Sequence, residues 1–259
     1  MKSFEINIRM RRKEKLFIAG LALIQGNLDE LVKNIESLHP MELAQFHRYK
    51  YDRRKESYLL GRLSVKQAVQ QAKIQLNRVI YPKKIWLDSG VFQFPILRSI
   101  KAANLNVSLS HCDDIGISIA FPDVHPMGID LERVEESRKD LLLDYILVEE
   151  KNMLTNINID NIIGYTMIWS IKEALSKTIK TGFMIDFNLL ELDTIEKENN
   201  VFKSTFHKFK QYKAFSVVNE HYVISIVSPK KTEIQDINKL EMLLNAILID
   251  EMKFVKHAK

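Results

Sequence analysis

The sequence holds a single cysteine, Cys112, in 259 residues. No intrachain disulfide can form and a metal site built on two thiolates of this chain is excluded, which fits a reducing compartment and predicts a cytoplasmic protein. Proline and glycine are sparse, at 6 and 8 residues, and no Pro/Gly/Ser-rich linker, low-complexity tract or short repeat is evident. Any domain boundary is therefore tight. No apolar run approaches the ~20 residues that a membrane span needs. The longest candidate, residues 16–24, follows Arg11, Arg12, Lys13 and Lys15 as a leader would. Glu5, Glu14 and the strand-like alternation of Phe4, Ile6 and Ile8 argue against that reading, so no membrane segment is expected.

What remains is an ordinary globular composition, 46% hydrophobic and 27% charged, sufficient for one large core or two small ones. The formal charge of +5 suits an anionic partner: a nucleic acid, an acidic protein or a phosphorylated ligand.

Residues 1–24 read as strands, and 28–49 as one or two short helices with Pro40 just inside a helix start. Residues 53–76 predict one long helix. Tyr58, Val65, Val69, Ala72 and Leu76 fall near one face of it, while Lys55, Arg62, Lys66 and Lys73 form a basic stripe. Residues 82–88 are strand-like, and a loop with Gly90 and Pro95 follows. Residues 106–121 alternate as a hairpin turning at Asp113 and Asp114. A strand at 127–134, helices at 138–154 and 160–180 with Gly182 as C-terminal stop, strands at 214–218 and 222–227, and a helix at 239–250 complete the chain. A long helix and a hairpin thus occur in each half. The pattern predicts an α+β protein with two similar subdomains, 1–125 and 126–259, each a small antiparallel sheet packed with a long helix.

Gly128-Ile129-Asp130-Leu131-Glu132 alternates, so Asp130 and Glu132 share one face of a strand. Neighbouring carboxylates repel, and a divalent cation commonly compensates; oxygen-only donors suit magnesium. An exposed strand face with scattered acids would look the same. On the helix at 160–180, Ile168, Ile171, Leu175 and Ile179 form a buried stripe, with Trp169, Glu173, Lys177 and Lys180 on another face. Glu173 and Lys177 fit a surface ion pair one turn apart, or a third metal ligand beside a phosphate-binding lysine. Ser110 and His111 end a strand; their side chains point to opposite faces and no Gly-x-Ser-x-Gly elbow surrounds the serine, which argues against a serine hydrolase.

Taken in order, four segments resemble the Sfp-type 4'-phosphopantetheinyl transferases: residues 53–66 (RRKESYLLGRLSVK), 106–111 (NVSLSH), 127–132 (MGIDLE) and 169–177 (WSIKEALSK). The last two carry the most diagnostic patterns, Gly-Ile-Asp-x-Glu and Trp-Ser-x-Lys-Glu-x-x-x-Lys. The resemblance implies a pseudo-twofold pair of α+β subdomains in a monomer, with coenzyme A in the cleft between them. It implies Mg2+, or Mn2+, on Asp130, Glu132 and Glu173, and Glu173 or a neighbouring acid as base toward the serine of an acidic apo acyl or peptidyl carrier protein. Lys177 would contact phosphate, Ser110 and His111 would lie near coenzyme A phosphates, and Arg53 and Arg62 are candidate cofactor contacts. Glu150 falls where the family has an acid near the metal. The loop 90–95 (GVFQFP) departs from the family's Gly-Lys-Pro nucleotide contact: it has no lysine and extra residues. Two rivals stand beside this expectation. One is another magnesium-dependent phosphoryl or nucleotidyl transfer; the other is nucleic-acid binding through the basic stripe, which leaves the acids without a purpose.

Overall fold

The computed structural model describes residues 1–74, 80–98 and 104–255. Strands β1 (Lys2–Arg12) and β2 (Lys15–Gln25) form a hairpin. Helices α1 (Leu28–Val32), α2 (Pro40–Arg48) and α3 (Asp52–Ile74) follow, with Pro40 at the first helical position of α2. Strands β3 (Trp86–Ser89) and β4 (Pro95–Arg98) make a small hairpin of their own, and β5 (Leu105–Cys112) and β6 (Ile115–Pro122) make the predicted one. Asp113 takes φ +53 in the β5–β6 turn, a conformation that aspartate tolerates better than most residues.

The second half runs β7 (Gly128–Arg133), α4 (Lys139–Leu143), α5 (Val148–Asn156) and α6 (Asn161–Thr178). It continues through β8 (Leu192–Glu198), β9 (Val201–Phe206), β10 (Tyr212–Val218), β11 (Tyr222–Pro229), β12 (Glu233–Ile234) and α7 (Lys239–Val255). Asp160 caps α6 by accepting from the amides of Ile162 and Ile163. The expected stop at Gly182 falls two residues late. Lys180 is the left-handed residue, at φ +60, and the amides of Lys180 and Thr181 return to the carbonyls of Lys177 and Ser176, the hydrogen-bond pattern of a Schellman ending.

Two antiparallel five-stranded sheets result, ordered β12-β1-β2-β6-β5 and β7-β11-β10-β9-β8. Their inner faces share one core, in which Leu21, Ile117 and Ile8 meet Ile129, Ile224 and Phe215, and α7 adds Leu240, Leu243, Leu244 and Ile247. Helix α3 covers the outer face of the first sheet through Val65, Ala68 and Val69, and α6 covers the second through Ile168, Ile171 and Leu175. The apolar run of residues 16–24 is thereby explained. It is the central strand β2, buried from Ala19 to Ile24 because the core lies on one face and α3 on the other. Although it comes from the far end of the chain, β12 pairs with β1, Met10 opposite Ile234. No helix among the described residues is long and apolar enough to cross a membrane.

The halves repeat small devices. A Cβ on Gly20 of β2 would overlap the Ala68 carbonyl of α3, and one on Gly128 of β7 would overlap the Ala174 carbonyl of α6. Each glycine therefore lets its helix lie directly on its strand. The helix sequences beside them correspond, Ser64-Val65-Lys66-Gln67-Ala68-Val69 with Ser170-Ile171-Lys172-Glu173-Ala174-Leu175.

Candidate active site

The two sheets meet edge to edge where β5 runs beside β7: the Ile129 amide donates to Ser108 Oγ at 3.1 Å, and Ser110 Oγ donates to Asp130 Oδ1 at 2.9 Å. Helix α6, seated on Gly128, brings Glu173 and Lys177 to the same place. Lys177 Nζ lies 2.6 Å from Asp130 Oδ1 and 3.0 Å from Ser110 Oγ. Asp130, Ser110 and the α6 pair Glu173 and Lys177, from two strands and one helix, therefore form one cluster.

Its electrostatics are unbalanced. Asp130 is 2% and Glu173 7% exposed, and Asp130 Oδ2 and Glu173 Oε1 are buried without a hydrogen-bond partner. Burial, and then the charge of Asp130, push the Glu173 carboxyl up to about 7; Lys177 opposes the shift. Glu132 is held differently. Its Oε2 accepts from Arg138 at 2.5 Å and its Oε1 from the indole of Trp169 at 3.0 Å, while burial and then Asp130 raise its pKa. Among the described residues no three His, Cys, Asp or Glu side chains stand as a ready metal cluster. The three carboxylates expected to converge are thus two with free oxygens and one engaged by Arg138 and Trp169. Two orphaned carboxylate oxygens, hard donors in a buried place, fit a divalent cation such as magnesium.

The cluster borders a cleft of about 990 Å³, at the large end of small-molecule sites. Glu173, Ser176 and Lys177 of α6 form one side; Arg54, Ser57, Tyr58 and Arg62 of α3, residues of β5 and the β3–β4 hairpin form the rest. His111 lines it and shares a 2.9 Å hydrogen bond with Ser57 Oγ. The residue as a whole remains exposed to solvent. Partial burial of the ring, then the charges of Lys177 and Arg54, hold its pKa below the ordinary imidazole value. Arg62 lies over the Tyr58 ring, 4.4 Å from its centroid. Arg53 is exposed and is not among the lining residues, where its neighbour Arg54 stands instead.

Several expectations change here. Lys66 is not part of a surface stripe: it is buried against Glu42 at 2.7 Å, because its position on α3 faces α2. Without it the continuous basic face expected for nucleic acid is broken; Leu76 and the Lys73 side chain lie outside the described residues. Glu150 is not beside the carboxylates. It is buried and paired with Lys172 Nζ at 2.8 Å, and it accepts from the amides of Leu147 and Leu192. Trp169 is both core filler and a donor to Glu132. The loop 90–95 forms the exposed tip of the β3–β4 hairpin, with Val91 88% exposed. Cys112 is pushed up to about 12, chiefly by burial, so it is no thiolate near neutrality. Sequence reasoning missed Glu42, Ser57 and Tyr58 as cleft residues; Ser57 and Tyr58 lie in the segment 53–66 and Glu42 on α2 before it, and nothing in their spacing points to a cleft.

Residues 126–227 match the family model of the 4'-phosphopantetheinyl transferase superfamily. The chain carries a domain of that superfamily, and its α+β architecture of antiparallel sheets and covering helices agrees with the assignment. The matched segment contains Asp130, Glu132, Glu173 and Lys177. No curated protein matches the chain.

Proposed function

We propose that the protein is an Sfp-type 4'-phosphopantetheinyl transferase that moves the phosphopantetheine arm of coenzyme A to a serine of an acidic apo acyl or peptidyl carrier protein, releasing 3',5'-ADP. The superfamily domain supports phosphopantetheinyl transfer in general. The observation that carries the finer statement is the meeting of Asp130 and Glu173, each with a buried partnerless oxygen, beside Lys177 at a cleft large enough for a nucleotide. In this reading the protein is a cytoplasmic monomer. Its subdomains, 1–125 and 126–259, are related by a pseudo-twofold axis, as the paired glycines and helix sequences suggest, and the active site occupies the cleft between them.

Asp130 and Glu173 would hold Mg2+ (or Mn2+), with Glu132 joining if Arg138 releases an oxygen. A divalent cation there supplies positive charge to the pyrophosphate oxygens. Lys177 adds the charge that stabilises the oxygen left on 3',5'-ADP as its bond to the β-phosphorus breaks. The carrier serine Oγ forms the new bond to that phosphorus and gives its proton to a carboxylate. Glu173, or a neighbouring acid, is placed for this role at the edge of the cleft. Ser110 holds Lys177 and Asp130 in register, and His111, Arg54 and Arg62 offer donors along the cleft toward the nucleotide. The excess base of the +5 chain favours encounter with an acidic carrier.

The test is intact-mass analysis of several apo carrier proteins incubated with the protein, coenzyme A and magnesium, with Asp130→Ala as control. One added phosphopantetheine that requires metal and Asp130 is the expected result. A folded wild-type protein that binds no coenzyme A and modifies no carrier would sink the proposal and favour a different nucleotide-transfer chemistry.

A further inference from the structure

Among the described residues a second buried polar network, outside the carboxylate cluster, lies in the N-terminal half. Glu42 of α2 and Lys66 of α3 form an ion pair at 2.7 Å with side chains 2% and 3% exposed. The same carboxylate accepts from the amide of His39 and, at 3.1 Å, from the amide of Leu87 in β3, and it stands 3.5 Å from Arg62 Nε. Lys66 also donates to the carbonyls of Pro82 and Ile85, at 3.0 and 2.5 Å. The Tyr58 hydroxyl donates to the Glu42 carbonyl, beneath the guanidinium of Arg62. The Glu42–Lys66 pair thus ties together α2, α3, β3 and the segment before it, and Glu42, Tyr58, Arg62 and Leu87 all line the cleft.

Stability alone is a weak reason for this pair, because the cost of desolvating two charges offsets most of their attraction. Burial does hold the pKa of Lys66 below its ordinary value, against the pull of Glu42. The pair has a counterpart. Glu150 and Lys172 repeat the arrangement, with a strand amide, Leu192, and a helix-start amide, Leu147, on the carboxylate. Lys172 precedes Glu173 of the carboxylate cluster, while Lys66 lies one turn beyond Arg62 of the cleft wall. In both halves the buried pair fixes the stretch of long helix that presents a charged group to the cleft.

We propose that Glu42, with Lys66 as its counter-charge, is a positioning residue. It sets Arg62 and β3 in the cleft wall and thereby the binding of the anionic nucleotide end of the substrate, without touching the reacting atoms. This rests on the transfer reading above.

Glu42→Gln alone would strand a buried lysine charge. The informative variants are therefore the neutral double Glu42→Gln/Lys66→Met, and Glu42→Asp, which keeps the charge and shortens its reach. Each is examined by thermal melting, by calorimetric binding of 3',5'-ADP, and by kcat and KM for coenzyme A. The expected result for a folded variant is 3',5'-ADP binding weakened about tenfold or more, a matching rise in KM, and kcat within about threefold of wild type. A folded variant that binds 3',5'-ADP as wild type does, or that loses kcat with KM unchanged, overturns the positioning role alone. If neither variant folds, the pair is structural and the proposal fails. A wild-type protein that binds no 3',5'-ADP overturns the transferase reading as well.

Discussion

The Lys177 ammonium lies 2.6 Å from Asp130 Oδ1, while the other oxygen of that carboxylate is buried and has no hydrogen-bond partner. Two cations, Lys177 on Asp130 and Arg138 on Glu132, are thus set among the three acids Asp130, Glu132 and Glu173, and the deficit appears on Glu173, whose pKa rises to about 7. A site with too little positive charge for its acids is one that gains by binding more.

Lys177→Ala removes the charge that holds the Glu173 pKa down. The carboxyl should then titrate still higher in the metal-free protein, as carboxyl-labelled NMR would read, and phosphopantetheine transfer should be lost with the fold largely kept. Full transfer activity would take Lys177 out of the site.

Glu173→Gln should raise, not lower, the stability of the metal-free protein at pH 8. The folded-state pKa is near 7 and the ordinary value is 4.5. Between those values the folded protein binds more protons than the unfolded one, so stability falls as pH rises through this window. By pH 8 the loss is complete, amounting to at most about 3 kcal/mol. Glutamine avoids it, so the melting temperature should rise at pH 8 and change little at pH 4, with transfer lost. A variant that melts lower at pH 8 would show that ionised Glu173 stabilises the fold.

Gly128→Ala would push a methyl group into the Ala174 carbonyl and against Thr178. Helix α6 must lift from β7, with a cost of about 1–3 kcal/mol or more and a displaced Glu173. Chemical denaturation should show the destabilisation, and magnesium-dependent transfer should fall with it. A variant of wild-type stability would mean that the helix and strand are less closely packed.

Lys172→Met leaves Glu150 buried without its cation, which should cost about 3–5 kcal/mol. The double variant Glu150→Gln/Lys172→Met should recover much of that loss. Equal destabilisation of the single and double variants would show that the pairing itself, more than the stranded charge, carries the energy.

How much of this was legible beforehand differs by element. Helices α3 and α6 and the β5–β6 hairpin are read closely because their patterns are long and end in clear turns, although α6 is buried all round from Thr166 to Ser176 and β6 on both faces. Strands β8 and β9 were not read as strands. In β8, Asp193, Glu196 and Glu198 are polar or exposed and leave little alternation, and β9 follows after a turn at Asn199. The internal correspondence of residues 64–69 with 170–175 also went unseen, since only Ser, Lys and Ala are identical; its signal was the pair of glycine-bearing strands, 20–22 and 128–130, that each helix covers.

The sequence by itself determined the long amphipathic helices, the alternating hairpins, the absence of disulfides, and an acid-bearing strand and helix whose residue types suit phosphoryl chemistry. Those properties depend on neighbours along the chain. Only the tertiary structure decided which charges are available. Lys66 and Lys172 belong to the same helices as Arg62 and Lys177, yet they are sealed against Glu42 and Glu150 while Arg62 and Lys177 reach a cleft. Asp130 and Glu173 keep oxygens without partners while Glu132 is engaged by Arg138 and Trp169. The physical reason is that a helix or strand period fixes the direction of a side chain, whereas its burial and its partners are set by what another part of the chain packs against that face.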